Sequence, residues 1–284
     1  MKKIITTADD LGIDKETNEA IKDCFENGVL TSSCLMAVGN AFDDAVENVI
    51  KTHQDLEIGV HLDIIECKAL TQKGKSTLTD ENGNFNNSYI GMLLKSYDKK
   101  FLKEVEDEFN AQIEKILSAG ITPAYINTHV HTHSIPNLFK IICKSAEKYS
   151  IPYVRTQGEL PYYTKGLKRH TSIRYCLNII KNILLNTFTF INKIELKKYN
   201  LKTNKYFLGV LYTGQMDEET IIAGVERLPQ DAVAEVICHP STNPEKPRHY
   251  KEYKGLTSER LKEFFKSGKA VAINWQNKEK KIGE

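Results

Sequence analysis

"INTHVHTHSIP", residues 126–136, sets His129, His131 and His133 at alternate positions, three of only eight histidines in the 284-residue chain. On extended backbone alternate side chains share a face, so the three rings can project together; in a helical turn His129 and His133 would pair instead. Either way imidazole is concentrated, and metal binding is favoured over a decorated surface loop. "TTADDLG" places Asp9 and Asp10 side by side. Adjacent carboxylates repel unless something positive compensates. One of them can cap the helix that begins near Asp14; alternatively one ligates a metal while its neighbour serves as general base. His61 closes "IGVHLD" and His239 follows "EVIC", with a proline after it that fixes the local backbone. Cys238 beside His239 would point to the opposite face of a strand, so a Cys–His nucleophile pair is discounted.

These side chains need elements to position them. Short β-type runs alternate with segments of helical period, the pattern of βα units with parallel strands. The spacing predicts strands over 2–7, 31–37, 57–62, 124–128, 152–155, 206–210, 232–237 and 270–274, and helices near 15–27, 41–53, 99–119, 137–148, 217–226 and 258–267. About eight strands with intervening helices predict an α/β fold, a distorted (β/α) barrel that is TIM-barrel-like, whether closed or incomplete, as one domain over 1–284. No phosphate-binding glycine loop argues for an open doubly wound sheet. In such a barrel Asp9, Asp10, His61, His129 and His239 all fall at carboxyl ends of strands, the end where active sites assemble. Independent decoration would not favour one rim. An Asp with two His gives mixed N/O ligation suited to Zn²⁺ or another divalent ion that activates water.

Two segments interrupt the pattern. Residues 66–98 are polar and turn-rich and read as an excursion over the barrel mouth. The second insertion, near 160–205, is basic: between Lys165 and Lys205 there are ten Lys or Arg and one acid, Glu195. Its first reading is an amphipathic helix packed on the barrel with a solvated lysine face, its second contact with an anionic membrane surface. Nucleic-acid binding comes last, because no motif supports it. The chain's net charge is only +2, from 39 basic and 37 acidic residues. Six scattered cysteines with no CxxC, and no apolar stretch of signal or membrane-span length, make the expected location cytoplasmic.

Taken in order, "TADDLG", "TSSCLMAVGNAFDDAV", "IGVHLD", "PAYINTHVHTHSIP", "YFLGVLYTG" and "EVICHPS" resemble the motifs of the YdjC-like carbohydrate deacetylases, from residue 3 to about 273. The resemblance implies a distorted barrel and divalent-metal-dependent removal of an acetyl group from an N-acetylated sugar, with magnesium or zinc as the metal. Carried over by motif, Asp10, His61 and His129 are the metal ligands and Asp9 the general base; His131 and His133 shape the site or contact substrate. The sequence departs from the family at Asn127-Thr128, where Asp-Ser is usual, at Leu11 for Phe and at Ser241 for Gly. Asn127 removes a carboxylate that could back up a metal ligand.

Direct proton transfer to a leaving amine needs an acid other than the base, and His239 is the candidate. Arg155 is placed to hold an anionic substrate group or Asp9, with a surface ion pair to Glu159 as the plainer alternative. Tyr125, Phe207 and Tyr212 could line a sugar cleft or belong to the core. Cleavage of another amide or an ester, for example on a lipid-linked aminosugar, stays open, as does a homodimer. A non-catalytic sugar-binding protein is disfavoured because every proposed ligand is present.

Overall fold

The computed structural model describes residues 1–165, 170 and 172–283. Its centre is an all-parallel sheet with the order β5-β4-β3-β2-β1-β7-β6, β8 pairing separately with β1. The strands are β1 (Lys2–Leu11), β2 (Ser32–Leu35), β3 (Glu57–Leu62), β4 (Tyr125–Thr128), β5 (Tyr153–Val154), β6 (Tyr206–Leu208), β7 (Val233–Cys238) and β8 (Ala270–Ala272). β7 follows one edge of β1 from Lys3 to Ala8, while β8 takes Lys2–Ile4 and β2 takes Thr7–Leu11 on the other. The curled sheet is a distorted α/β barrel. Its seam, between β5 and β6, is bridged by other groups: the Asn204 side chain bonds both the N–H and the carbonyl of Thr156 at 2.8 Å, and Phe207 N–H donates to the Gly158 carbonyl at 3.0 Å.

The helices are α1 (Lys15–Glu26), α2 (Phe42–Ala45, running into a π-turn at Val46–Ile50), α3 (Tyr89–Lys95), α4 (Lys99–Ser118), α5 (Pro136–Lys148), α6 (Ile173–Lys198), α7 (Glu218–Arg227), α8 (Pro247–Leu256) and α9 (Glu259–Lys266). α4 shows why they dock. Asp98 caps its first turn by accepting from Lys100 and Phe101 N–H, and Phe101, Val105, Phe109, Ile113 and Ile116 recur at helical spacing on the buried face. α3 and α8 were not anticipated, and α3 falls within the segment read as a loop. That segment is anchored from below: Glu108 accepts from the backbone of Leu70 and Thr71, and Glu104 from Thr77.

Inside the barrel, Tyr125 stacks on Trp275 with centroids 4.7 Å apart, over a floor that includes Ile5 and Cys34. Gly59 is required there, because a Cβ would lie 2.4 Å from the Tyr125 ring. Tyr125, Phe207 and Tyr212 are all buried, so they belong to the core rather than to a cleft. Side chains two residues apart share a strand face, so Gly59 predicts the direction of His61, and Tyr125 that of Asn127. The site lies one layer above this plug.

α6 does not sit as the sequence suggested. Its buried residues are Asn182, Leu185, Thr189, Asn192 and Leu196, whereas Ile173, Leu177, Ile180, Ile183, Phe190 and Ile194 are exposed. Lys193, Lys197 and Lys198 are solvated while Lys181 is partly buried, and the helix turns a largely polar face to the barrel and an apolar face outward. No helix among the described residues is long and apolar enough to cross a membrane.

Candidate metal centre and active site

Strand alternation should send Asp9 and Asp10 to opposite sides, but the end of β1 breaks it. The register with β2 slips between Ala8 and Leu11, and Asp10 has a left-handed φ of 68°. This bulge turns Asp10 back over the barrel mouth. The helix-cap role falls to Asp14, which accepts from Thr17 N–H, so neither Asp9 nor Asp10 is needed as a cap.

Asp10 Oδ1 lies 3.0 Å from His61 Nε2 and 2.9 Å from His129 Nδ1, and those two nitrogens are 3.4 Å apart. His61 reaches this triangle from the end of β3. Its other nitrogen, Nδ1, lies 2.6 Å from Asn127 Oδ1, while Asn127 Nδ2 faces Asp9 Oδ1 at 3.3 Å and Cys34 Sγ at 3.2 Å. The opposite amide orientation would put its oxygen against the Asp9 carboxylate, so the geometry favours His61 N–H donating from Nδ1. His61 Nε2 then presents a lone pair to the Asp10 carboxylate, and a cation relieves that crowding. The donor set and its mutual distances therefore fit a divalent metal, with Asp10, His61 and His129 as holders.

Burial alone would raise the Asp10 carboxyl, but His129 holds it well below the ordinary carboxylate range; Asp10 in turn lifts His129 well above the usual imidazole value. His129 opens a tight turn, His129–Ser134, in which Val130 and His131 take left-handed φ values of 53° and 57°. Left-handed backbone is costly for a β-branched residue such as Val130 and marks a functional constraint. The turn parts His129 from His131 and His133, whose rings stay edge-on at 6.2 Å, so neither the shared face of all three nor the His129–His133 pairing is formed. His129 faces Asp10, His131 packs edge-on to Phe207, and His133 bonds Thr128 Oγ1 and Gln157. Burial keeps both His131 and His133 neutral.

Asp9 is almost wholly buried and accepts a fork from Arg155, at 2.6 Å to Oδ2 and 2.8 Å to Oδ1. The Cys34 thiol, 3.1 Å from Oδ1, adds another donor. Desolvation opposes ionisation, but Arg155 overcomes it and holds Asp9 ionised far below its usual range. Arg155 has no exposed surface, and its Nε and Nη2 also donate to Glu235 on β7, at 2.9 and 2.5 Å. Buried and forked between two carboxylates, it does not reach out to an anionic substrate group, and of the roles read from sequence it takes that of holding Asp9. The ion pair with Glu159 is not formed. Glu159 instead accepts from the backbone of Gly209, Val210 and Leu211 and from Asn182 on α6.

His239 follows β7, half-exposed, with Nδ1 3.7 Å from Glu252 Oε2. Burial would lower its pKa, but the carboxylates of Glu252, Asp10 and Asp9 push it up to about 9. Cys238 turns the other way, toward the Met216 carbonyl.

Sequence reasoning missed Glu235, Cys34 and Glu252. The available signal for Glu235 was an acid in the middle of the apolar strand "VAEVIC", where a buried charge needs a partner. Cys34 gave none, since a thiol in an apolar run reads as core.

The model of the YdjC-like protein family matches residues 3–267. A protein named carbohydrate deacetylase from Clostridium beijerinckii is 30% identical over 292 residues, covering 97% of this chain and 99% of its own. Another from Listeria innocua, named carbohydrate deacetylase 1, is 43% identical over 152 residues, covering 52% of this chain and 59% of its own. Among solved structures, a protein from Enterococcus faecalis described as a candidate cellobiose-phosphate cleavage protein shares the fold with a TM-score of 0.74 at 23% identity, covering 97% of this chain and 98% of its own. With its bulged strand end, its Asp–His–His triangle and a family match over nearly its whole length, the chain belongs to the YdjC-like family.

Proposed function

We propose that this protein is a divalent-metal-dependent carbohydrate deacetylase, hydrolysing the acetamide of an N-acetylated sugar or oligosaccharide. The observation that carries the reading is the convergence of Asp10, His61 and His129 beside a buried, Arg-held Asp9. A divalent ion at such a ligand set supplies Lewis acidity toward a carbonyl and lowers the pKa of water.

The chain's own residues do the rest. Asn127 fixes the His61 ring so that Nε2 faces the ligand triangle. Arg155 is a positioning residue: its fork sets the plane of the Asp9 carboxylate and keeps it ionised, as a group that accepts a proton must be. Asp9 takes a proton at its carboxylate from a molecule seated at the floor of the site. His239, protonated at neutral pH, gives a proton to the departing amine nitrogen. His131, buried against Phe207, and His133, held by Thr128, shape the wall of the site behind the ligand triangle.

The test is acetate release from N,N′-diacetylchitobiose, with a simple acetyl ester in parallel, before and after chelation, with single metals restored and with Asp9→Asn as control. Metal-dependent release from the sugar, lost in Asp9→Asn, is expected. Turnover of the ester alone would move the activity to another substrate class, and no release from either by metal-loaded protein would remove it.

A further inference from the structure

The two histidines of the ligand triangle meet it by different nitrogens. His61 presents Nε2, and its far nitrogen, Nδ1, is held by Asn127. His129 presents Nδ1, 2.9 Å from Asp10 Oδ1, so its far nitrogen is Nε2. That nitrogen lies 3.7 Å from Oε1 of Glu66. A neutral imidazole that gives one lone pair to a cation carries its proton on the other nitrogen, and an acceptor for that proton fixes both the tautomer and the plane of the ring. Glu66 stands where the acceptor for His129 belongs.

The backbone around Glu66 is built to aim it. Gln112 on α4 clamps Asp63 through its N–H and its carbonyl, at 2.9 and 2.7 Å. The Asp63 carboxylate in turn accepts from Ile65 and Glu66 N–H, at 2.8 and 3.1 Å. On the far side of the turn Glu108, bonded to Gln112 at 2.8 Å, accepts from Leu70 and Thr71 N–H. Between these anchors Cys67 takes a left-handed φ of 67°, strained backbone for a residue with a Cβ. The turn is therefore fastened at both ends and kinked between them, and the Glu66 side chain, more than half in water, leaves it toward His129. An exposed pair of this kind adds little to stability, so stability does not account for the anchoring.

We infer that Glu66 is a positioning residue of the metal centre, whose carboxylate accepts the Nε2 proton of His129 and so holds Nδ1 toward the ion. The inference rests on the proposed metal site and gives the excursion over the barrel mouth a part in it, because Glu66 is where that excursion begins.

Calorimetric titration of the chelated full chain with zinc and with magnesium, in the absence of substrate, tests this. Glu66→Ala should weaken binding about 10–100-fold while its midpoint of metal-free unfolding in urea stays that of the wild type. Glu66→Gln keeps an oxygen acceptor at the same reach and should recover most of the loss, whereas Glu81→Ala, which removes an exposed acid of the same excursion, should leave affinity unchanged. Wild-type affinity in Glu66→Ala would overturn the inference and leave the proposed function standing. A Glu66→Gln variant as weak as Glu66→Ala would reduce Glu66 to a bare charge and overturn it too. A wild-type chain that binds neither ion would overturn both.

Discussion

The rim of the barrel and α6 both turn polar side chains inward, and the difference lies in what those groups converge on. At the rim, Asp9, Arg155, Glu235, Asn127 and His61 satisfy one another and leave a few atoms, Asp10 Oδ1 and two imidazole nitrogens, facing a common point. In α6, Asn178, Asn182, Asn186 and Asn192 end on backbone carbonyls and on Glu159, and what remains outside is hydrocarbon. Polar groups buried around an open point signal chemistry, whereas polar groups buried as fasteners beneath an apolar face set how a helix sits.

The sharpest break to this contrast is Asp9→Asn, which keeps the shape of the rim but removes the proposed proton acceptor. Deacetylation should fall by about 10²–10⁴-fold with little change in metal binding, read by turnover beside a metal titration. Arg155→Met tests whether the rim is a structural network as well. It leaves Asp9 and Glu235 as buried, unpaired carboxylates and should cost about 3–5 kcal/mol in chemical denaturation. On the other side of the comparison, Glu159→Ala removes the acceptor for three backbone N–H groups and Asn182, and should cost about 1–3 kcal/mol while loosening α6.

The pH profile sharpens the rim further. His239 has a folded pKa of about 9, above its ordinary 6.5, so it is protonated through neutrality. Turnover should decline on the alkaline side as His239 loses its proton, a limb absent from His239→Asn. Because the folded value is the higher one, the stability it contributes is complete below about 6.5 and is lost as pH rises through about 9. The smallest effect is expected for Asn127→Asp. A carboxylate accepting from His61 makes that ring a stronger ligand, and metal affinity should rise about tenfold in a calorimetric titration.

Much of this was legible in the sequence because it rests on short-range rules. The period of two along β3 and β4 forecasts the direction of His61 and Asn127, and the position of Asp9, Asp10, His61, His129 and His239 after strands forecasts the rim. What escaped depends on distant partners. Arg155 could not be assigned between Asp9 and Glu159 until β1, β5 and β7 were set side by side. The bulge that re-aims Asp10 and the left-handed turn at Val130 and His131 have no glycine to announce them. α6 misled for a physical reason as well. Periodicity locates an apolar stripe but not which side meets the barrel, and four asparagines hold the polar side inward.

In the proposed function Asp10, His61 and His129 hold one divalent ion on which deacetylation depends. Chelated protein titrated with zinc or magnesium, with acetate release followed on the same samples, tests it most directly. One ion per chain is expected, with binding and acetate release lost together in His61→Ala and His129→Ala. Binding that survives both substitutions, or acetate release undiminished by chelation, would contradict it.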